Sequence, residues 1–484
     1  MTDLRISRRA VLAAALSAGF ASSAAASPAD VAGNLRVLCE RLARDEDFSG
    51  VVLLAKDGRP LFRQAYGAAN RADAVANRPD TKFNLASMCK MFTALAVLRL
   101  VQAGRLRLED RLISHLPDYP NRAVAEQVTI AQLLTHTSGL GNYWAALAKS
   151  PADAAATVPE TLALFVNDPL AGPPGAFAYS NDGYVVLGAL IEKLTGRDYY
   201  THVRETIFRP LGMKDTDFYR VDEVIPNLAI GYTRDLERPG AWRNNLLVTG
   251  VRGGPAGGGY STADDLLAFA NALAANRLLS PEMTREWTKG RIDYSKGRYG
   301  YGCSEEIVNR HRIIGHSGGH FGIANELMIF EDLGYTLIIL TNGEVDVFWD
   351  LNAWGKRTLA GEDDGVRDYV FTRDLAETIA RAGLAAGQQA YARRPQGRRA
   401  KESVIDVLGL KALHRGRPDA ALALLQFNRL SFPDSSSAVW SYAEANRIAR
   451  RPGDALDAYR DYLKREPGDA DATKRVAALL ATGS

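Results

Sequence analysis

The spacing of apolar residues changes along the chain and divides it into helical and extended segments. Residues 31–42 have leucines three and four positions apart, which predicts an amphipathic helix. The segment Phe48–Tyr66 instead alternates on both sides of Lys56-Asp57-Gly58, and an Asp-Gly pair between apolar runs predicts a β-hairpin. We therefore expect a helix followed by two antiparallel strands.

The segment Phe83–Gln102 is apolar on nearly every face and ends just before Gly104. Because it carries Lys90 and Arg99, it predicts a buried core helix rather than a membrane span. Shorter helical patterns follow, and connections rich in proline and glycine separate them. These helices are predicted near Ile130–Thr135, Asp182–Leu194 and Ala263–Leu273.

Three short apolar runs predict consecutive antiparallel strands at Arg312–Ile314, Glu326–Phe330 and Tyr335–Leu340. Strands thus lie at both ends of this part of the chain, with helices between them. The order is typical of an α+β fold in which both ends build one antiparallel sheet, flanked by helices and by a helical subdomain. We expect this domain to span residues 27–360.

Beyond about residue 400 the chain resembles itself at an offset of 34 residues, so that Ala421-Leu422 matches Ala455-Leu456. The pattern predicts an all-α, tetratricopeptide-like region at 401–484, after a linker helix at 361–400. Each repeat would be a helix pair that cannot bury its apolar face alone, so we expect it to dock on the preceding helix, Leu375–Tyr391, or on the first domain. Such repeats could bind a protein partner. The alternative is a chance similarity between two amphipathic helix pairs.

The N-terminus has the pattern of a twin-arginine signal peptide. Ser7-Arg8-Arg9 is followed by an alanine-rich apolar run and a small-residue stretch that ends at Ala26. We therefore expect residues 1–26 to be removed on export, the mature protein to be periplasmic or secreted, and membrane contact only during export. A frayed helix or a membrane anchor is the alternative.

The chain has 484 residues, of which 46% are hydrophobic and 24% charged, enough for more than one structural unit. Its net charge of +3 is spread along the sequence, which argues against nucleic-acid binding. Three cysteines are too few and too widely separated for a disulfide framework or a CxxC metal site. One bridge between Cys39 and Cys303 is compatible with an oxidising compartment.

Ser87 and Lys90 lie three positions apart near the start of the predicted buried helix. This spacing puts both side chains on one helix face. A serine hydroxyl becomes a strong nucleophile when a base takes its proton, and a lysine can be that base when burial lowers its pKa. The pair is a candidate nucleophile and base. The alternative is a helix-start serine beside a lysine whose stem packs on apolar surface.

Tyr179-Ser180-Asn181 follows a segment rich in glycine and proline and precedes a predicted helix, so it lies where a cleft can form. Tyr179 is a candidate for relaying a proton between the serine and a leaving group. Asn181 could hold a substrate amide or Lys90. Alternatively, Asn181 is a helix N-cap and Tyr179 a packed aromatic side chain.

His316-Ser317-Gly318-Gly319 lies between two predicted strands. Gly318 and Gly319 would let a ligand backbone approach closely, and the N–H beside Gly319 could join that of Ser87 as an oxyanion hole. A bulge or a turn is the alternative role for these glycines.

In their order and contexts the three segments resemble the class C β-lactamase, D-aminopeptidase and family VIII esterase group of penicillin-recognising serine hydrolases. Further matches lie at Gln132–Leu140 and Ala256–Leu266, and the resemblance covers roughly residues 35–345. It implies a β-lactamase-like fold and hydrolysis of an ester or amide through an acyl-enzyme, with no cofactor or metal.

The resemblance also implies a role for each candidate residue. Ser87 would be the acylated nucleophile, Lys90 and Tyr179 the acid/base pair, and the backbone N–H groups of Ser87 and Gly319 the oxyanion hole. We expect His136, in the first of the further matches, to be structural and hydrogen-bonded at the end of its helix.

One departure from the group concerns His316-Ser317-Gly318, where β-lactamases and carboxypeptidases carry Lys-Thr-Gly. Because a histidine is mostly neutral at pH 7, a substrate carboxylate would be held less firmly, although His316 could still hydrogen-bond an acyl group. The departure favours esters and D-amino-acid amides or peptides. Hydrolysis of β-lactams or D-Ala-D-Ala peptides is the alternative activity.

The segment Gly315–Gly319 also fits Gly-x-Ser-x-Gly, the nucleophile elbow of α/β-hydrolases. That elbow needs a strand, a sharp turn and a helix, with a histidine further along, and here His320 is too near and His414 falls in the repeats. A metal site formed by His311, His316 and His320 is a second alternative, but no HExxH pattern accompanies them.

A catalytically idle module that binds cell-wall fragments is the main alternative to an enzyme. Such a module would have no chemical need to keep Ser87, Lys90 and Tyr179 together, so the sequence favours an enzyme.

Overall fold

The computed structural model describes residues 28–46, 48–151, 155–235, 237–295, 297–343, 345–361 and 363–482. The predicted signal peptide, residues 1–26, lies outside them. In the described residues the strands are β1 (Gly50–Lys56), β2 (Arg59–Tyr66), β3 (Ala68–Asn70), β4 (Val75–Ala76), β5 (Phe83–Asn84), β6 (Tyr232–Arg234), β7 (Trp242–Asn244), β8 (Tyr260–Ser261), β9 (Ile292–Tyr294), β10 (Gly297–Tyr299), β11 (Ser304–Val308), β12 (His311–His320), β13 (Ile323–Phe330) and β14 (Tyr335–Thr341).

The same residues form α-helices that lie mainly between β5 and β9 and after β14. They are α1 (Pro28–Glu46), α2 (Lys90–Gln102), α3 (Arg122–Gln127), α4 (Ile130–Leu134), α5 (Trp144–Leu147), α6 (Val158–Ala163), α7 (Asn181–Thr195), α8 (Tyr199–Val203), α9 (Ala263–Ala274), α10 (Pro281–Thr288), α11 (Val345–Leu359), α12 (Asp363–Ala392), α13 (Glu402–His414), α14 (Pro418–Ser431), α15 (Ser436–Ile448), α16 (Pro452–Arg465) and α17 (Ala470–Thr482).

One antiparallel sheet with the strand order β2-β1-β14-β13-β12-β11-β10-β9 organises the first domain. β1 pairs with β14 along its whole length, so both ends of the domain lie side by side in one sheet, as predicted. Alternate residues of β1 face two different cores. Val51 and Leu53 pack with α2, α7 and α9, whereas Val52 and Leu54 pack with α1 and α11. The α+β fold with flanking helices is therefore confirmed.

Local chemistry explains several of the predicted elements. Asp57 and Gly58 both have positive φ, of 50° and 76°, which is the conformation that an Asp-Gly hairpin turn requires. Thr129 and Gln132 form a capping box at the start of α4, and the Ser180 hydroxyl caps α7 by accepting the N–H of Gly183. These elements coincide with the predicted ones.

The predicted helix at Phe83–Gln102 begins later than its apolar pattern indicated. Phe83 and Asn84 form β5 and pair with β8, a short 3-10 helix covers Ala86–Cys89, and α2 starts only at Lys90. The Asn84 side chain accepts the N–H of Ala86 at 2.9 Å, which turns the chain out of the strand. The apolar pattern did not distinguish them because Phe83 in β5 and most residues of α2 are buried.

The cysteines lie in different cores. Cys39 packs among α1 residues beneath one face of the sheet, and Cys303 packs on the other face. Both are buried free thiols, so the Cys39–Cys303 bridge is absent from the structure.

The C-terminal region is a run of helix pairs. α13, α15 and α17 begin at Glu402, Ser436 and Ala470, which reproduces the 34-residue offset of the sequence. α12 packs against this region through Leu375, Ala376 and Ile379, as expected for the preceding helix. The region also contacts the first domain, where the Gly240 N–H donates to the His414 carbonyl at 2.8 Å. In the described part of the chain, no helix combines the length and apolar character that crossing a bilayer requires.

Candidate active site

Ser87 and Lys90 contact each other where the 3-10 helix passes into α2. The Lys90 Nζ lies 3.2 Å from the Ser87 Oγ, 2.7 Å from the Asn181 Oδ1 and 2.5 Å from the Ala256 carbonyl oxygen. A neutral amine has two hydrogens and one lone pair. The amide and carbonyl oxygens can only accept, so they use the two hydrogens and leave the lone pair for the serine hydroxyl.

The environment of Lys90 favours this neutral form. The side chain is completely buried, and its Nζ lies 4.8 Å from the ring centroid of Tyr179 and 5.3 Å from that of Tyr184. Burial lowers the pKa of Lys90 to about 7, with a smaller opposing effect from Cys89. An amine with this pKa is available as a base near neutral pH.

Asn181 positions Lys90, and Asn142 positions Asn181. Asn142 belongs to none of the sequence motifs. The Asn181 Nδ2 and backbone N–H donate to the Asn142 Oδ1 at 2.8 and 3.0 Å, which turns the Asn181 Oδ1 toward the amine. Asn142 in turn donates to the Tyr179 carbonyl at 3.1 Å. The helix N-cap is Ser180 rather than Asn181, so the alternative capping role of Asn181 is wrong.

Tyr179 lines the same cleft as Ser87. Its hydroxyl is close enough to the Ser87 side chain for that side chain to affect the pKa of Tyr179, while 38% of the residue remains exposed along the cleft. Burial of the hydroxyl raises the pKa of Tyr179 above its ordinary value, and the nearby Ser87 side chain partly offsets that rise. A phenol that keeps its proton can donate it to a leaving group.

The turn before Ser87 is held in a conformation that few residues adopt. Ala86 has a φ of 45°, although it is not a glycine. Its carbonyl accepts the N–H of Gly258 at 3.2 Å, and a Cβ on Gly257 would lie 2.7 Å from that carbonyl oxygen. The glycines of the 256–259 segment therefore let the chain pass close enough to fix the turn at Ala86, which precedes Ser87.

Gly318 and Gly319 lie inside a single long strand, β12, and not between two strands as predicted. β11 pairs with β12 only as far as Gly315. The remaining edge of β12 is therefore free to pack against the turn that carries Ser87. A Cβ on Gly318 would lie 2.1 Å from the Leu85 carbonyl oxygen, whereas Gly319 has open space beside Ser87. The strand therefore brings the Gly319 backbone to the same cleft as the Ser87 N–H, which belongs to the first turn of a helix and lacks an intrahelical acceptor.

A chain of buried hydrogen bonds links His136 to His316. The Ser180 N–H donates to the His136 Nδ1 at 3.1 Å, so the hydrogen of the neutral ring is on Nε2, which donates to the Tyr299 hydroxyl at 3.2 Å. Tyr299 then donates to the His316 Nε2 at 2.8 Å, and the His316 Nδ1 donates to the Ser317 carbonyl at 2.5 Å. Burial lowers the pKa of His136 well below its usual range, which keeps it neutral.

This chain gives both histidines positioning roles. His136 has the structural, hydrogen-bonded place predicted for it after α4. Both ring nitrogens of His316 already have partners within the protein, so its predicted bond to an acyl group would have to replace one of them. Tyr299 had no motif of its own, and only the fold brings it between the two histidines.

The part of the chain that the structure describes forms neither the nucleophile elbow at Ser317 nor the histidine metal site that the sequence offered as alternatives. Ser317 lies in the middle of β12 rather than on a turn between strand and helix, so the elbow geometry is absent there. His311 bonds Asp332 at 2.6 Å, and the His320 ring lies against Trp144. The described residues contain no group of side chains arranged to hold a metal ion.

Asp182, the neighbour of Asn181, is 4% exposed, and its Oδ1 has no hydrogen-bond partner among the described residues. Burial raises the pKa of Asp182 to about 7, and a backbone N–H bond from Tyr143 opposes this rise. The folded chain therefore holds a proton that the unfolded chain releases above about pH 4. Stability from this group is present at low pH and is lost as the pH rises to about 7.

The Asp182→Asn variant is therefore expected to unfold a few degrees above the native chain at pH 8, with the difference shrinking at pH 4. Thermal unfolding followed by circular dichroism at the two pH values measures this. Asp118→Asn, at an exposed carboxyl, is the control. Equal melting temperatures of Asp182→Asn and the native chain at pH 8 would contradict the prediction.

The chain resembles known proteins over the same region that forms this site. A family model described as Beta-lactamase matches residues 36–361. Penicillin-binding protein 4* of Bacillus subtilis (strain 168) is 31% identical over 335 residues, 66% of this chain and 73% of that protein. Esterase EstB of Burkholderia gladioli is 32% identical over 361 residues, 65% of this chain and 91% of that protein.

A solved structure resembles the fold at comparable extent. The D-amino acid amidase from Ochrobactrum anthropi SV3, complexed with D-phenylalanine, has a TM-score of 0.57 and is 26% identical. The likeness covers 69% of this chain and 99% of the amidase. The helix pairs after residue 361 lie beyond the range that the family model matches.

Proposed function

Because the chain belongs to the Beta-lactamase family and is a serine hydrolase, we propose that Ser87 is its nucleophile and that it cleaves esters or D-amino-acid amides and peptides. The observation that carries the proposal is the contact between the Ser87 Oγ and the Lys90 Nζ, at 3.2 Å. Two other acceptors occupy the remaining positions around the amine, so its lone pair faces the hydroxyl.

In the proposed reaction, the Ser87 Oγ attacks the substrate carbonyl while its proton passes to Lys90, directly or through Tyr179. The negative charge that develops on the carbonyl oxygen is bound by the N–H groups of Ser87 and Gly319. Tyr179 returns a proton to the leaving group as the bond to the carbonyl breaks. Water then attacks the acyl-enzyme, gives up a proton to the same groups and releases the acid and Ser87.

The surroundings of Ser87 support esters and amides without a carboxylate beside the cleaved bond. The residue at the position of the family's Lys-Thr-Gly lysine is His316, and its ring nitrogens are engaged by Tyr299 and Ser317. Arg252 lines the cleft, but its guanidinium lies 3.6 Å from the ring centroid of Tyr200 and donates to the Phe218 carbonyl. Turnover of p-nitrophenyl esters and D-amino-acid amides is therefore expected to exceed that of nitrocefin.

A covalent probe tests the nucleophile directly. A fluorophosphonate should add to the full chain once, and peptide mapping after intact mass measurement should find the adduct on Ser87. Ser87→Ala should remain unlabelled, whereas Ser317→Ala should react like the native chain. An adduct on Ser317 would reverse the assignment, and a chain that is never labelled would favour the non-catalytic module that binds cell-wall fragments.

We further propose that the protein is exported by the twin-arginine route and acts in the periplasm or outside the cell. The arginine pair and apolar run of residues 1–26 support this. The 34-residue recurrence of helix starts supports a tetratricopeptide-like region, which would offer a surface for a protein partner.

A further inference from the structure

A wide groove leads from Ser87 to the protein surface. It has a volume of about 1020 Å³, and Ser87, Tyr179 and Gly319 line it together with a set of apolar side chains. These are Trp144, Leu147, Leu246, Leu247, Val248 and Phe321. The groove is therefore continuous with the reacting atoms.

The groove offers little to hold an ionic substrate. Among the described residues that line it, Asp222 carries the only full charge, and this carboxylate pairs with Arg220 at 2.7 Å. Burial lowers the pKa of His320, which also lines the groove, so its ring is neutral near pH 7. The described lining of this groove therefore includes no cation for an anionic group, whereas an apolar group would meet hydrocarbon side chains.

The apolar wall is uncovered in the free protein. Leu247 is 94% exposed and Phe321 62% exposed, and both lie on the rim of the groove. Soluble proteins seldom leave contiguous apolar side chains open to water unless a ligand or partner covers them. Because this surface continues to Ser87, a molecule that covers it would also reach the Ser87 hydroxyl.

A second cavity on the other side of Ser87 is smaller and more polar. It has a volume of about 230 Å³ and is lined by Phe177, Tyr294, Tyr299, Ser304 and His316. The groove is therefore the larger of these two spaces beside Ser87 and has room for a long or bulky substituent.

We propose that the preferred substrate is an ester or amide with a long apolar chain, which lies in the groove between Trp144 and the 246–248 segment. The inference rests on the proposed function and specifies its substrate class. Each methylene that leaves water should raise kcat/KM by about fourfold when fully buried, and by less along the open part of the groove.

Two series of soluble esters, each below its micelle concentration, test the proposal on the full chain. One runs from p-nitrophenyl acetate to p-nitrophenyl octanoate, and the other lengthens the alcohol of acetate esters. We expect kcat/KM to rise at least about tenfold across one series. A flat or falling profile in both would overturn the proposal.

Paired variants show whether the groove causes the preference. The double variant Leu247→Ser/Phe321→Ser is expected to lower the octanoate-to-acetate ratio of kcat/KM roughly tenfold, because it removes two of the apolar side chains that a long chain would cover. Val224→Ser is the matched control, because Val224 is 99% exposed and is not part of the groove lining. A ratio that the double variant leaves unchanged would overturn the role of the groove.

The outcomes also distinguish this proposal from the proposed function. If acetate is hydrolysed and Ser87 is labelled but chain length has no effect, only the substrate class is wrong. If no ester is hydrolysed and Ser87 is never labelled, the hydrolase mechanism itself fails.

Discussion

Replacement of Lys90 by alanine is expected to lower kcat/KM by about 10²- to 10⁴-fold, the contribution that a positioned general base makes. The hydrogen bonds of the Lys90 amine to Asn181 and Ala256 leave its lone pair facing the Ser87 hydroxyl. The loss should lie in acylation, which single-turnover release of p-nitrophenol measures.

The pH profile separates a base from a merely structural lysine. Since burial lowers the pKa of Lys90 to about 7, the neutral amine is lost as the pH falls below 7. The native kcat/KM should therefore drop about tenfold per pH unit below 7 and level off above it, and this limb should be absent from Lys90→Ala.

A second variant controls for packing. Lys90→Met preserves the volume of the buried stem, so it should fold, as judged by circular dichroism, and be as inactive as Lys90→Ala. Normal acylation in either folded variant would contradict the assignment of Lys90 as the base.

Local patterns predicted the parts of the fold that short stretches of sequence determine. The Asp57-Gly58 turn, the capped helices α4 and α7 and the strand runs near the end of the domain follow from periodicity and turn chemistry. The contact between Ser87 and Lys90 was also predictable, because the two residues lie three positions apart and need only a helical turn to meet.

The rest depended on contacts between distant segments. The predicted start of α2 was wrong because Phe83 pairs with Ser261 as a strand. A buried strand and a buried helix share the same apolar pattern, so the sequence did not distinguish them. Asn142 gave no motif signal, since an isolated asparagine in a loop looks like a turn residue. Its position just after the Gln132–Leu140 match was the available hint.

Gly318→Ala is expected to lower kcat/KM by about 10²-fold or more and to reduce the melting temperature by a few degrees. The new methyl would lie 2.1 Å from the Leu85 carbonyl oxygen, and Leu85 is itself fixed by a 2.7 Å bond from its N–H to the Gly259 carbonyl. Backbone on both sides cannot rotate away, so β12 or the turn that carries Ser87 must move.

The adjacent glycine supplies the control for this clash. A Cβ on Gly319 would have its nearest neighbour, the Ile323 carbonyl oxygen, at 3.9 Å. The melting temperature of Gly319→Ala should therefore equal that of the native chain. Thermal unfolding and the rate of fluorophosphonate labelling of Ser87, measured on both variants, test the argument. Native stability and native labelling of Gly318→Ala would contradict the argument that close packing of β12 on the turn before Ser87 positions Ser87.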